Sequence, residues 1–256
     1  MSDSNISSDI TGKKVFFLYP TASVQNQIIT ELVQQEFEVY ITKDHNRLSY
    51  ILKKYPDSVL FINIDDGMPE SEWEKWIRTI LSSQPDVKIG VFSSNGDEAL
   101  RERYVNILKI TCGFMISKLD MSKITPKILD ILNIINVKGR RKYIRATVER
   151  ETNASINMPY GGDFINGTIK DISVVGFSCS FDHDLVLAKN SLIKDIQIKL
   201  QSMLLKAEAV VFGTRIEYGE KKFVLLFTQR IDPEIKVKIR KYIQVNLQNK
   251  IDHEII

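Results

Sequence analysis

Short, almost continuously apolar runs alternate with amphipathic stretches through the first half of the chain. KVFFLYP (14–20), FEVYIT (37–42), SVLFINID (58–65), KIGVFSS (88–94) and GFMIS (113–117) read as strands. The unbroken apolar character of the middle ones predicts burial on both faces. Helical periodicity occupies the intervals near 23–35, 45–54, 70–83, 97–108 and 122–135. This strict alternation predicts a parallel five-stranded sheet with right-handed crossovers and flanking helices, an α/β unit of flavodoxin-like type. Trp73, Trp76, Ile77 and Ile80 share the third helix and are expected to pack on the sheet.

The second half is patterned differently. Stretches rich in Val, Ile, Phe and Thr near 145–156, 164–182, 192–202, 205–216 and 222–229 are punctuated by Gly, Asn and Asp, which predicts an antiparallel sheet or small β-barrel. After Asp232-Pro233, Ile235, Ile239, Ile243 and Leu247 recur every fourth residue and predict one helix whose apolar stripe caps that barrel. The segment NVKGRR (136–141) separates the halves, with Gly139 expected to end the preceding helix. The expected organisation is a disordered tail over 1–12, an α/β domain over 13–136, a hinge over 137–145, and a β domain with its C-terminal helix over 146–256.

Composition narrows the class. The 256 residues are 43% hydrophobic and 26% charged, as in a soluble globular protein. No run approaches about 18 consecutive apolar residues, and MSDSNISSDITGKK has neither a basic nor an apolar region of signal-peptide type. No membrane span, no secretory signal and a cytoplasmic location are expected. Cys112, Cys179, His45, His183 and His253 match no metal-ligand spacing, so no metal site and no cofactor are expected. The net charge of +3 conceals an asymmetry: residues 1–136 hold 15 basic and 18 acidic side chains, residues 137–256 hold 20 and 14. An anionic partner suits the second half, although the same excess also serves solubility.

Two short segments carry candidate chemistry. Arg140-Arg141-Lys142-Tyr143-Ile144-Arg145 follows the hinge. A guanidinium offers paired donors that match phosphate oxygens and also the O6 and N7 acceptors of guanine. Further on stands Asp171-Ile172-Ser173-Val174-Val175-Gly176, read as lying at a bend in a strand with Asp171 and Ser173 on one face. A carboxylate accepts from guanine's ring N–H and amino group, a hydroxyl adds a bond, and Gly176 permits close backbone approach or a positive φ. Each segment also has a plain structural reading: a solvated basic linker for the first, a strand turn with a side-chain-to-backbone bond for the second.

In this order, R-x-x-x-R and D-x-S-x-x-G ahead of a small barrel with a terminal helix resemble the PilZ family of cyclic di-GMP receptors, over roughly residues 138–250. The resemblance implies a PilZ-type antiparallel barrel and a ligand site in which Arg141 and Arg145 belong to the first motif and Asp171, Ser173 and Gly176 to the second. Arg140, one place upstream, matches an additional arginine frequent in the family. No ligand role falls to Phe212 or Arg215.

In the first half, Asp65-Asp66-Gly67-Met68-Pro69 resembles the phosphoacceptor strand end of response-regulator receiver domains, and Ser93 or Ser94 and Lys118 fall where such domains place a hydroxyl and a lysine. Phosphoryl transfer to a carboxylate needs a divalent cation, held by acidic residues at the end of the first strand. Here that position reads Leu18-Tyr19-Pro20-Thr21, and Leu119 follows Lys118 in place of proline. A receiver-like domain is therefore expected to serve as a docking or dimerising surface for a protein partner, with Asp65 disfavoured as a phosphoacceptor. The resulting expectation is a non-enzymatic cyclic di-GMP receptor whose interdomain arrangement or partner contacts change on binding. The alternative is a phosphorylation-controlled response regulator with a nucleic-acid-binding output, against which stands the lack of a helix-turn-helix or aromatic stacking motif. No catalytic triad, Walker loop or zinc motif suggests an enzyme.

Overall fold

The computed structural model describes residues 12–118, 120–148, 154–217, 219–229 and 231–254; residues 1–11 of the expected tail lie outside these. The chain divides into two compact units, Met1–Lys142 with Lys250–Ile256, and Tyr143–Asn249. The division falls within the segment read as a hinge, and the last seven residues group with the first unit.

In the first unit, β1 (Val15–Leu18), β2 (Val39–Thr42), β3 (Val59–Asn63), β4 (Lys88–Ser93) and β5 (Phe114–Ile116) form a wholly parallel sheet in the order β2-β1-β3-β4-β5. That is the doubly wound order expected from the alternating pattern, and its reversal point lies beside β1 and β3. Helix α1 begins with π-type turns over Val24–Ile29 and continues as Thr30–Gln34. It is followed by α2 (His45–Lys54), α3 (Glu70–Ser83), α4 (Glu98–Glu102, with π-type turns over Arg103–Ile107) and α5 (Met121–Ile134). Phe17 and Phe61 stack with ring centroids 5.1 Å apart. They share a core with Ile28 and Leu32 of α1 and Ile128 and Leu132 of α5. Trp73 and Ile77 are fully buried, as their shared helix face predicts.

The end of α5 departs from expectation. Asn136 adopts the left-handed backbone (φ 50°), and Val137 N–H donates to Leu132 O at 3.0 Å. Asn136, not Gly139, terminates the helix. Asparagine tolerates this conformation because its short polar side chain lowers the steric cost.

The second unit is a closed six-stranded antiparallel barrel. Its strands β7 (Ala154–Tyr160), β8 (Asp163–Ser173), β9 (Gly176–Phe181), β10 (Leu192–Leu200), β11 (Met203–Glu217) and β12 (Glu220–Phe227) pair in the ring β8-β7-β10-β11-β12-β9, which β9 closes by pairing with β8. A two-residue strand, β6 (Ala146–Thr147), pairs with β8 near its end. Closure removes the exposed edges that an open sheet of these lengths would present. Inward side chains such as Ile156, Ile169, Phe177, Ile198 and Leu225 form the core. Helix α6 (Pro233–Asp252) buries Ile239, Tyr242 and Ile243 in that core, with Ile235 and Leu247 packed against it. The apolar stripe read from the sequence thus caps the barrel. Among the described residues no helix is long and apolar enough to cross a membrane.

Candidate functional site on the barrel wall

The segment read as one bent strand over 164–182 is a hairpin. Ser173 stands opposite Gly176 and Asp171 opposite Ser178, which leaves Val174 and Val175 as a two-residue turn. The Ser173 hydroxyl donates to Gly176 O at 3.1 Å, and its oxygen accepts from Val175 N–H at 3.4 Å. Ser173 is buried and fastens the turn. Gly176 lies against the neighbouring strand: a Cβ there would stand 2.3 Å from Leu225 O and 3.0 Å from Leu226 Cα. Gly176 is not among the positive-φ glycines, and its close contact is with the neighbouring strand β12.

A register shift between Ile169 and Asp171 marks a bulge in β8. Ile169 and Ile172 both point into the core, fully buried. The extra residue between them re-aims the strand, and Asp171 comes out on the outer wall.

Three side chains converge on the Asp171 carboxylate. The Ser178 hydroxyl donates to Oδ2, Arg215 Nη2 stands 3.4 Å from Oδ2, and Arg145 Nη1 stands 3.6 Å from Oδ1. Arg145 directly precedes β6, whose Thr147 pairs with Asp171. Arg215 comes from β11 and carries a second anchor, with its Nε 3.0 Å from Glu217 Oε1. Lys222 Nζ donates to Glu217 Oε2 at 2.6 Å. That bond, reinforced by the charges of Arg215 and Lys222, holds the Glu217 carboxyl below the usual carboxylate range.

Exposure decides what this cluster is able to do. The Arg145 and Arg215 side chains are 46% and 44% exposed, while Asp171 between them is 19% exposed. Ion pairs this open contribute only about 0–1 kcal/mol each, so an incoming anion or base edge displaces them at little cost. Across the wall, the row Asp171, Ser178, Val224 and Gly213 spans four adjacent strands. Ser178 and Gly213 in this row are small, and nothing lies within 4 Å of the position a Cβ would take at Gly213. Ser178 is itself buried, so the open part of the row lies at Gly213.

Of the residues singled out in the sequence, Arg145 and Asp171 come together, and Ser173 and Gly176 meet each other across the turn. Arg140 and Arg141 are exposed in the segment grouped with the first unit. Ser178 and Arg215 were not singled out as ligand groups. Ser178 follows from Asp171 once the turn is placed at Val174-Val175. Arg215 lies 44 residues away in sequence and gives no local signal.

At the carboxyl end of the parallel sheet, Asp65 accepts from the Ser93 hydroxyl at 2.7 Å and from Ser94 N–H. The Tyr19 backbone is left-handed (φ 54°), and its carbonyl accepts from Asn63 Nδ2 at 3.0 Å. A Cβ on Gly67 would lie 2.6 Å from the Tyr19 ring, so an aromatic side chain fills the space at the end of β1. That ring packs edge-on to Trp73 at 5.9 Å, and its hydroxyl lies 3.3 Å from His45 Nδ1. Burial, with the nearby charges of Asp44 and Asp66, raises the Tyr19 hydroxyl pKa. Among the described residues, no group of three or more His, Cys, Asp or Glu side chains is arranged to hold a metal ion.

No protein-family model matches the sequence, and no curated protein matches it. Solved structures similar to parts of the chain fall into two sets. One includes the PilZ domain with c-di-GMP of YcgR from Escherichia coli (13% identity, 44% of this chain and 98% of that one, TM-score 0.38). The same set includes the K. pneumonia MrkH–c-di-GMP complex (20% identity, 46% and 57%, TM-score 0.40). The other set includes a response regulator from Thermotoga maritima (18% identity, 48% and 98%, TM-score 0.39). The matched regions span about half the length of the longer YcgR and MrkH chains, 50% and 57%.

Proposed function

We propose that the chain is a non-enzymatic receptor for cyclic di-GMP, with the ligand lying on the barrel wall at Arg145 and Asp171. The observation that carries this reading is the exposed pair of guanidinium groups flanking one outward carboxylate. Such a surface supplies donors for phosphate and guanine acceptors and an acceptor for guanine N–H groups. It also agrees with the PilZ resemblance of the two motifs. Arg141 and Arg140, in the segment leading to the barrel, supply further positive charge, and ordering that segment offsets part of the binding energy. Ser173 and Gly176 support the site by fixing the hairpin that presents Asp171. In this reading the first unit is a receiver-like docking surface for a protein partner, and ligand binding alters the arrangement of the two units or their partner contacts.

Calorimetric titration of the whole chain with cyclic di-GMP, with GTP as the control, tests the proposal. Wild type binds, Arg145→Ala and Arg141→Ala each lose most of the affinity, and GTP binds weakly. Absence of binding by wild type contradicts the receptor reading. Undiminished affinity in the double arginine variant contradicts the site.

A further inference from the structure

We propose that Arg215 is a specificity-determining residue, which together with Asp171 reads the edge of a guanine base. The inference rests on the cyclic di-GMP reading above and goes beyond its two sequence motifs, neither of which contains Arg215.

The geometry places a donor directly beside an acceptor. Arg215 Nη2 is 3.4 Å from Asp171 Oδ2, and both side chains belong to the same outer wall, beside the small residues Ser178 and Gly213. Guanine presents two N–H donors, at the ring nitrogen and the amino group, followed along the same edge by the O6 acceptor. The two oxygens of Asp171 accept the two N–H groups, and a neighbouring guanidinium donates to O6. Adenine has one amino donor beside a ring-nitrogen acceptor. It satisfies at most one carboxylate oxygen and leaves the other facing a lone pair.

A donor that reads a base must be held in place, because an unrestrained arginine loses side-chain entropy on ordering and follows whichever anion is nearest. Arg215 meets this requirement in part. Its Nε stands 3.0 Å from Glu217 Oε1, a pair that is 44% and 36% exposed and so biases the arginine rather than locking it, and Glu217 also accepts from Lys222, whose side chain is 13% exposed. The chain Lys222, Glu217, Arg215 acts as a buttress that leaves the terminal nitrogens turned toward Asp171. A phosphate-gripping role predicts something else: loss of Arg215 would then weaken every cyclic dinucleotide equally.

The two roles separate when Arg215→Ala and Arg215→Lys are titrated with cyclic di-GMP and cyclic di-AMP, after thermal melts have shown both variants folded. Arg215→Ala lowers the preference for the guanine ligand about tenfold or more, the size expected for one lost base-edge contact, with little change toward the adenine ligand. Arg215→Lys, which keeps the charge without the fork, does not restore the preference. An equal loss for both ligands, an unchanged preference, a gain in guanine affinity, or full rescue by lysine overturns the proposal while leaving the receptor reading intact. If wild type binds no cyclic di-GMP, the receptor reading itself fails, and this inference falls with it.

Discussion

At the scale of single residues, the site divides into side chains that meet a ligand and side chains that make the surface possible. Gly176 shows the second kind. Its Cβ-less backbone lets β9 lie against β12, where an added methyl would sit 2.3 Å from Leu225 O. Backbone on a closed barrel yields little, so Gly176→Ala is expected to destabilise the protein by about 1–3 kcal/mol, read as a lower midpoint in urea unfolding. A midpoint equal to wild type contradicts this account of the seam. Cys112 offers an independent check on burial. Its thiol is enclosed and pushed up to about 11, so at pH 8 only about one molecule in a thousand carries the reactive thiolate. A disulfide reagent should leave Cys112 untouched until the chain unfolds, and rapid labelling of the native protein would show that the core is open. Arg145 and Asp171 were singled out because each stands in a short motif that resembles a PilZ one, and the structure brings the two side chains together. Arg215 was not, because only closure of the barrel brings it to a carboxylate 44 positions away.

At the scale of elements, the helices and parallel strands followed directly from periodicity, because strands buried on both faces and amphipathic helices leave different patterns. The β8–β9 hairpin was legible only as the plain reading of its motif, a strand turn with a side-chain-to-backbone bond, and the strand pattern ran through it for a physical reason. Its turn is Val174-Val175, two β-branched residues with strand propensity, where Gly or Asn would ordinarily mark a tight turn. The turn is secured instead by the Ser173 hydroxyl. The end of α5 was misplaced to Gly139 because Asn136 takes the left-handed position commonly given to glycine. At the carboxyl end of β1, Tyr19 fills space where a cation-holding acid would be needed, and Asp65 is engaged by Ser93 and Ser94. We expect magnesium with acetyl phosphate to leave Asp65 unmodified, as measured by intact mass; a stoichiometric adduct would show that phosphotransfer chemistry survives.

At the scale of the whole molecule, two folds of different grammar stand in one chain. Both were readable because a parallel α/β sheet and an antiparallel barrel impose different spacings of apolar residues. If the receptor alters the arrangement of its units, small-angle scattering should change its pair-distance distribution on addition of cyclic di-GMP, and Arg145→Ala should abolish the change. Identical curves with and without saturating ligand would place the output elsewhere. The most direct test of the central claim is hydrogen–deuterium exchange of the intact chain with and without cyclic di-GMP. Protection of residues 140–147 and of the β8–β9 hairpin around Asp171 is the predicted result; protection elsewhere, with these segments unchanged, would contradict it.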